Sequence, residues 1–493
     1  MTDAIVIGCD IGTGSCKAIA MNTSGQIVAE TQVYYSILHP HPRYSEQDPE
    51  TIWKAFIKCL ADLCKNLKTP PVAVSLSTCM HSLLLMDKNG KPLTNLITWE
   101  DSRSHKISSC LRKERKGKKI YKQTGTPIHS MSPLCKIAWF QKNRKRIFHK
   151  TAFFIDIKAY LWHRIFGEYK VDHSVASATG IFNIHKFQWD KTAMEFCGID
   201  ESRLPQLVAT TFLQSSASKD FLSQTGLQEA IRFCIGGSDG CMANVGSDIT
   251  NKHKAAITIG TSGAVRINSP APIADYDTMI FNYVLDKKTF ICGGPANNGG
   301  NVFQWLINTF MDVKNPAPGD YDKAMKKIAE IPAGCEGLIC LPFLYGERAP
   351  VWDENASAVW FGVKPVHTKW HFMRAALEGI CFGLNAILEI LQKSAFEIKE
   401  LHASGGFIQS HAWVQLLADI TGKKMTLNDS GDASSIGAAR WAMKAMRIRY
   451  LPLNKKQEER ILPNPNHLEV YRKNFAIYKK LYKTTKEEMH RLQ

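Results

Sequence analysis

The residues best suited to chemistry lie between positions 235 and 267. A single acid, Asp239, stands among small residues in Gly236-Gly237-Ser238-Asp239-Gly240, directly before a stretch with helical character. Further on, an apolar run leads into the turn Gly260-Thr261-Ser262-Gly263. Glycine lets such a turn adopt positive φ, and its backbone N–H groups can face an anion. A carboxylate that can accept a proton, followed by a phosphate-binding turn, indicates phosphoryl transfer to a hydroxyl group.

The N-terminus carries a second copy of this turn. Ile11-Gly12-Thr13-Gly14 matches Ile259-Gly260-Thr261-Ser262, and each copy stands between an apolar run and a second predicted strand. One Gly-Thr turn alone is a simple hairpin connection about as often as it is a phosphate-binding turn. Two copies, with Asp10 directly before the first, favour phosphate and metal binding, and they predict two related domains that face one nucleotide.

The longer motifs resemble those of the FGGY carbohydrate kinases, within the sugar kinase/actin/heat-shock ATPase superfamily. The resemblance covers residues 1–445; segment 131–143 matches the first family signature and segment 358–378 the second. Several long motifs in the same order are far more specific than one short pattern. The resemblance implies an α/β fold of two related ribonuclease-H-like domains with a nucleotide cleft between them.

The same resemblance divides the chain into three parts. Residues 1–248 form an N-terminal domain on the sugar and phosphate side, and residues 249–445 form a C-terminal domain on the adenosine side. The linker between them falls near 245–254. Residues 446–493 are charged and basic, and we expect a helical C-terminal extension there.

Two predicted strand ends resemble the sugar-binding segments of the family. One is the Met80-His81 pair after the strand 72–77, and the other is the segment 97–103. A lone histidine is usually structural, but a position at a strand end of an α/β sheet favours a functional role. Asp101 and Arg103 could equally form a surface ion pair. The expected sugar-binding residues are Met80, His81, Trp99, Asp101, Arg103, Lys158 and Asp239.

The resemblance also assigns the nucleotide, the metal and the base. Asp239 is expected to accept the proton of the attacking hydroxyl, and Asp10 to hold Mg²⁺. Gly405-Gly406, followed by a predicted helix from 411, resembles the adenosine motif. The expected ATP-binding residues are Gly12, Thr13, Gly14, Lys17, Gly260, Thr261, Gly300, Gln304, Gly405, Gly406 and Ser410.

Composition limits the class of partner. The net charge is +17, but the basic runs such as 111–122 lack an aromatic ladder and are typical of solvated helix faces, so we expect neither nucleic acid nor membrane as a partner. No uninterrupted apolar run reaches about 18 residues, and the N-terminus has no basic n-region. The 14 scattered cysteines favour reduced thiols and a cytoplasmic location. A homodimer is possible.

Two classes of function remain open on the sequence. An ATP-dependent sugar or sugar-acid kinase needs a base such as Asp239, whereas a non-catalytic actin-like nucleotide-binding protein does not. The segments 124–133, 157–160, 171–180 and 238–244 resemble those of gluconate kinases in the family. We therefore expect D-gluconate as the substrate, with D-xylulose or another open-chain sugar as the alternative. Among three candidate cations for the gluconate carboxylate, Arg103, Lys158 and His81, Lys158 ranks first.

Overall fold

The computed structural model describes residues 4–249, 253–394, 396–427, 432–451 and 459–492. The strands, in chain order, are β1 Val6–Ile11, β2 Ser15–Met21, β3 Ile27–Tyr34, β4 Glu46–Gln47, β5 Ala73–Thr78, β6 Leu84–Met86, β7 Leu96–Ile97, β8 Phe153–Ile155, β9 Lys170–Asp172, β10 Phe182–Asn183, β11 Gln188–Trp189, β12 Gln206–Val208, β13 Leu213–Gln214, β14 Arg232–Ser238, β15 Lys254–Ile259, β16 Gly263–Ser269, β17 Phe281–Asp286, β18 Thr289–Ala296, β19 Ile339–Leu341, β20 Val359–Phe361, β21 Glu400–Ser404, β22 Lys424–Leu427 and β23 Arg460–Ile461.

The α-helices, in chain order, are α1 Pro49–Lys65, α2 His105–Lys113, α3 Arg115–Thr124, α4 Pro133–Asn143, α5 Lys145–Lys150, α6 Ile157–Phe166, α7 His173–Ser177, α8 Lys191–Cys197, α9 Lys219–Thr225, α10 Asp239–Gly246, α11 Gly300–Phe310, α12 Pro318–Ala329, α13 Lys369–Ser394, α14 His411–Thr421, α15 Ala433–Ala445 and α16 Leu468–Arg491.

The chain divides into two compact units, each discontinuous in sequence. Unit 1 comprises Met1–Thr250, Ser269–Ile291 and Asp432–Lys455, and unit 2 comprises Asn251–Asn268, Cys292–Gly431 and Lys456–Gln493. The three-part division made from the sequence concerns domains rather than compact units, and it stays a prediction. Residues 250–252, in the predicted linker, and 452–458, in the predicted extension, lie outside the described residues.

The main sheet of unit 1 has the strand order β13-β14-β5-β1-β2-β3. Strand β5 pairs in parallel with β1 on one side and with β14 on the other, while β1, β2 and β3 form an antiparallel meander. Thr78 lies opposite both Ile11 and Ser238. The carboxyl ends of three parallel strands therefore meet at one edge, which is where ligand sites of α/β sheets lie.

Helix α15 packs on this sheet of unit 1 and crosses α10 closely. A Cβ at Gly437 would lie 1.8 Å from the Met242 carbonyl oxygen, and one at Gly246 would lie 1.9 Å from that of Ala433. Real Cβ atoms do not approach backbone oxygens this closely, so both positions require glycine. The crossing fixes α10, which carries Asp239 as its first residue.

The sheet of unit 2 repeats the arrangement of unit 1. Its strands follow the order β18-β16-β15-β21-β22-β23, in which β15 pairs antiparallel with β16 and in parallel with β21. Thus β15 and β16 correspond to β1 and β2, as the repeated Ile-Gly-Thr turn indicates. Among the described residues, α13 is long and apolar enough to cross a membrane, but 78% of its apolar window is buried inside the fold, as in a core helix.

Candidate active site

Asp10 and Asp239 both lie at the parallel-strand edge of unit 1. Asp10 is the next-to-last residue of β1 and accepts a hydrogen bond from Ser77 Oγ at 2.7 Å. Asp239 begins α10 directly after β14, and its Oδ1 accepts from the Gly240 amide at 2.8 Å. Burial, and after it the charge of Asp239, raises the pKa of Asp10 from 3.8 to about 7. The two carboxylates are therefore close enough to repel each other.

The first Gly-Thr turn directs its carbonyl oxygens toward protein donors. The Tyr35 hydroxyl donates to the Gly12 carbonyl and Gln47 Nε2 donates to the Thr13 carbonyl, each at 2.6 Å. Among the described residues, none accepts a hydrogen bond from the amides of Thr13 or Gly14. A Cβ at Gly14 would meet nothing within 4 Å. Two available amides beside open space suit a phosphate oxygen.

Lys17, predicted to bind ATP, is already paired with protein carboxylates. Its ammonium forms ion pairs with Asp432 and, at 3.3 Å, with Glu30. These two carboxylates supply the negative charge that a phosphate would otherwise provide. We therefore do not retain Lys17 as a phosphate ligand.

The Met80-His81 pair follows β5 at the same edge of unit 1. A Cβ at Gly240 would lie 3.1 Å from the terminal methyl of Met80, which places Met80 beside the start of α10. His81 adopts φ of 61°, a conformation that costs energy for a residue with a side chain. The Lys136 ammonium holds this conformation by donating to the His81 carbonyl at 2.7 Å, and His81 Nε2 lies 2.9 Å from the Tyr283 hydroxyl.

The segment 97–103 contains two kinds of contact, one from Trp99 to the phosphate turn and one between Asp101 and Arg103. Trp99 Nε1 donates to Thr13 Oγ1 at 3.1 Å, which joins the segment 97–103 to the phosphate turn. Asp101 and Arg103 form an ion pair at 2.7 Å, and their side chains are 0% and 5% exposed. The pair is therefore buried rather than on the surface. Because Arg103 also bonds to Glu46 at 2.5 Å, its guanidinium is engaged and we do not retain it for the substrate carboxylate.

Lys158 is not available to a substrate either. Its ammonium donates to Asp172 Oδ2 and to the Gly237 carbonyl, each at 2.8 Å, and its side chain is 0% exposed. An ammonium has three protons, and a third acceptor, the Leu76 carbonyl, lies at 3.4 Å. The first-ranked candidate for pairing a substrate carboxylate is thus withdrawn, because the structure surrounds it with protein acceptors.

Most of the predicted adenosine-side residues surround a cavity of about 570 Å³ within unit 2. Its wall includes Phe407, Tyr321 and Trp413 as aromatic side chains, together with the predicted residues Gly260, Thr261, Gly300, Gln304, Gly406 and Ser410. The volume and the mixture of rings with a few polar groups are typical of small-molecule sites. The amide of Gly300 donates to the Gly260 carbonyl at 2.8 Å, which ties the second Gly-Thr turn to the start of α11.

Gly405 belongs to the same loop but supports the cavity rather than lining it. It has φ of 99°, and a Cβ there would lie 2.4 Å from the Ile259 carbonyl oxygen. Only glycine fits this close approach. Gly406 differs, since a Cβ there would meet nothing within 4 Å.

Sequence reasoning missed several residues that hold the site in unit 1. Tyr283, Gln47 and Ser174 contact the predicted residues or their immediate neighbours. Lys136 belongs to segment 131–143, which matches the first family signature. Asp172 and Ser174 belong to the Val-Asp-x-Ser motif, whose small and polar residues were the available signal. Tyr283 belongs to no motif.

Unit 1 presents two carboxylates and an amide-lined turn at strand ends, and unit 2 presents a nucleotide-sized cavity beside the repeated turn. The class that this fold and these sites define is a nucleotide-dependent phosphotransferase. Residues 5–246 and 255–446 match the N-terminal and C-terminal domain models of the FGGY family of carbohydrate kinases. The chain belongs to this family and is an ATP-dependent carbohydrate kinase with the sugar kinase/actin/heat-shock ATPase fold.

Relatives of two sugar specificities are similar to the chain. The gluconokinase of Bacillus subtilis (strain 168) is 37% identical over 440 residues, which are 88% of this chain and 86% of the relative. The xylulose kinase of the same strain is 28% identical over 495 residues, 98% of this chain and 97% of the relative. The crystal structure of gluconate kinase from Lactobacillus acidophilus has a TM-score of 0.93 at 29% identity and covers 100% of both chains.

Proposed function

We propose that the kinase phosphorylates a primary hydroxyl of D-gluconate to give 6-phosphogluconate. The gluconokinases of two Bacillus species are 37% and 36% identical to the chain, against 28% for a xylulose kinase. The alternative is D-xylulose or another open-chain sugar. We keep this alternative because a xylulose kinase structure matches the chain with the same TM-score of 0.93 and the same 29% identity as the gluconate kinase structure.

The observation that carries the chemistry is the placement of Asp239 at the end of β14. The carboxylate begins a helix at the edge where Asp10, the 12–14 turn and Met80 also lie. In the proposed reaction, the carboxylate accepts the proton of the sugar hydroxyl as the oxygen attacks the γ-phosphorus, and the bond from that phosphorus to the bridging oxygen breaks to release ADP. The turn amides bind phosphate oxygens as charge develops on them.

Asp10 is the proposed residue for Mg²⁺. The fit rests on the donor chemistry: a carboxylate oxygen is a hard ligand. Burial, and after it the charge of Asp239, raises the pKa of Asp10, and a bound cation would offset both effects by stabilising the carboxylate. Mg²⁺ is usually held by one or two carboxylates, water and substrate phosphates, so a single aspartate is a sufficient protein contribution. When bound, the ion would neutralise phosphate charge.

Recognition of the substrate carboxylate falls to His81 among the three cations first considered. Arg103 and Lys158 are engaged by buried protein acceptors. His81 is 7% exposed and follows β5 beside Met80, and its described ring partner, the Tyr283 hydroxyl, is a neutral group rather than a carboxylate. A carboxylate desolvated without a partner is costly, so we propose that the imidazole and nearby backbone amides bind it together.

The setting of the reaction is also a proposal. We infer a cytoplasmic enzyme that acts on small molecules, without nucleic acid or membrane as partner, and with a homodimer as its candidate oligomeric state. The support is that all 14 cysteines are free thiols, 12 of them buried.

A coupled ADP-release assay tests the substrate. Gluconate, xylulose, ribulose, glycerol and fucose-type sugars are compared at equal concentration, with sugar-free ATP hydrolysis as the blank. We expect gluconate to give the highest kcat/KM. Turnover of xylulose without turnover of gluconate would overturn the sugar-acid proposal and leave the kinase class standing.

The base is tested separately with Asp239→Asn. We expect turnover to fall by more than about 10²-fold, the usual scale for a general base, while ATP still binds as measured by calorimetry. A wild-type kcat in a folded Asp239→Asn protein would contradict the assignment.

A further inference from the structure

The end of β14, just before Asp239, contains a β-bulge. Its register against β5 shifts between Cys234 and Gly237. Gly236 has φ of 69°, and a Cβ there would lie 2.0 Å from the Leu76 carbonyl oxygen. Only glycine fits such a position. A bulge interrupts the ladder of hydrogen bonds, and buried backbone groups left over need other partners.

The ammonium of Lys158 is that partner. It donates to the Gly237 carbonyl at 2.8 Å and reaches the Leu76 carbonyl on the neighbouring strand at 3.4 Å. Its charge is balanced by Asp172 Oδ2 at 2.8 Å, and neither side chain has exposed surface. Lys158 therefore holds the two strands together across the bulge, two residues before Asp239.

A second connection holds Ser238, the residue between Gly237 and Asp239. Asp172 Oδ1 accepts from the amides of Ser174 and Val175 at 2.8 and 3.0 Å and thereby caps α7. Ser174 Oγ accepts from the Ser238 amide at 3.0 Å and lies 2.7 Å from Ser238 Oγ. Ser238 is the N-cap residue of α10. The residue directly before Asp239 is thus fixed through its backbone and its side chain.

We propose that Lys158, Asp172 and Ser174 are positioning residues that set the direction of the Asp239 carboxylate. The proposal rests on the proposed role of Asp239 as base. Each of the three side chains is fully buried, so none offers a surface to sugar or ATP. A shift of about 1 Å at a reacting group can cost about 10²-fold in rate. Loss of these contacts therefore lowers kcat and leaves both KM values near those of the wild type.

Ser174→Ala is the primary test, because it removes one hydroxyl and leaves little space. Ser177→Ala is the matched control: Ser177 is on the same helix and is equally buried. Its hydroxyl accepts from the Val284 amide at 2.9 Å and donates to the Ser174 carbonyl at 2.7 Å, but it has no contact with Ser238 or with the Ser174 hydroxyl among the described hydrogen bonds. We expect kcat to fall about 10-fold or more in Ser174→Ala and less than about 2-fold in Ser177→Ala. Equal kcat losses in the two variants, or a loss confined to KM, would overturn the proposal.

A double-mutant cycle distinguishes positioning from general loosening. If Ser174 acts only through Asp239, then adding Ser174→Ala to Asp239→Asn lowers the residual kcat no further. Additive losses would instead show that Ser174 supports the enzyme by another route and would overturn the proposal. If Asp239→Asn alone keeps wild-type kcat, the proposed base itself is wrong. If Asp239→Asn loses turnover and Ser174→Ala does not, only the positioning role is wrong.

Lys158→Met and Lys158→Met/Asp172→Asn extend the test to the ion pair. The single variant leaves Asp172 as an unpaired buried charge, whereas the double variant removes both charges. We expect the double variant to recover melting temperature but not kcat, because the Gly237 carbonyl still lacks its donor. Recovery of kcat together with melting temperature would show a purely structural role.

Discussion

The Tyr283 hydroxyl lies 2.9 Å from Nε2 of His81, and the two rings meet edge to face with centroids 5.9 Å apart. Tyr283 is 2% exposed and stacks on Phe281 at 4.3 Å. A buried hydroxyl in a rigid setting restrains the position of the imidazole that it contacts. If His81 binds the sugar as proposed, the tyrosine holds its imidazole in place for that contact.

Tyr283→Phe should weaken sugar binding without affecting ATP. Losing one neutral hydrogen bond of about 0.5–1.5 kcal/mol predicts a rise in sugar KM of about 3- to 10-fold. Tyr121→Phe is the control, since it removes an equally buried hydroxyl that donates to the Ile280 carbonyl at 2.8 Å. Steady-state kinetics in both substrates decide the matter: an unchanged sugar KM in Tyr283→Phe, or an equal rise in Tyr121→Phe, contradicts the prediction.

Gly405 and Gly406 are adjacent in unit 2, but substituting alanine for each should have different effects on stability and on ATP binding. Gly406→Ala places a methyl group in the open space of the cavity, so we expect ATP KM to rise about 10-fold or more with an unchanged melting temperature. Gly405→Ala places a Cβ against the Ile259 carbonyl at positive φ, so it should lower the melting temperature. Thermal melts with and without ATP separate the two. A destabilised Gly406→Ala protein, or a stable Gly405→Ala protein, would count against the geometry.

Asp10→Asn should stabilise the metal-free protein at pH 8 while abolishing activity. The pKa of Asp10 is raised from 3.8 to about 7 by burial and by Asp239. Between these pH values the native state holds a proton that the unfolded state releases, so stability falls as pH rises from about 4 to about 7. The penalty, up to a few kcal/mol, is fully present above pH 7.

Melting temperatures measured in EDTA without nucleotide test this sign. Asp10→Asn should melt above the wild type at pH 8, and the difference should shrink toward pH 5. A variant that melts lower than the wild type at pH 8 would show that the Ser77 hydrogen bond outweighs the desolvation cost. Activity assays with Mg²⁺ complete the comparison.

The sequence predicted those features that are local in the chain. The Ile-Gly-Thr turns, the position of Asp10 after an apolar run, the position of Asp239 at the start of a helix, and the repeat between the two halves follow from short motifs whose backbone geometry depends on neighbours. The two-domain fold is confirmed by the family models and the structural relatives. The roles of the individual site residues stay predictions.

The features that the sequence did not predict depend on the direction of a side chain or on a contact between residues that are far apart in the chain. His81 and Tyr283 are 202 residues apart, and no motif marks the tyrosine. Lys158 was ranked first as a substrate ligand because its context, 157–160, resembles that of gluconate kinases, and this resemblance does not give the direction of its side chain. Its partner Asp172 lies only 14 residues away, yet only the packing of α6 against β9 shows that the two charges meet.

Two buried lysines of unit 1, Lys136 and Lys158, provide a last prediction. Lys136 donates to the carbonyls of His81 and Thr98 at 2.7 and 2.6 Å, so it joins the two segments that carry the proposed sugar contacts. Burial lowers the pKa of Lys136 to about 7. Removing the ammonium releases the strained backbone of His81. Lys136→Met should therefore raise sugar KM by about 10-fold, with ATP KM near normal.

Lys158→Met should lower kcat and leave sugar KM near that of the wild type, so it serves as the comparison for Lys136→Met. Both substitutions replace a fully buried lysine with a side chain of similar length, so a general effect of burying methionine would appear equally in both. The geometry predicts that Lys136→Met acts on sugar KM and Lys158→Met on kcat, because one ammonium holds the sugar segments and the other holds the strand end before Asp239. If both variants change the same kinetic constant, the assignment of the sugar segments to Lys136 and of the strand end before Asp239 to Lys158 is wrong.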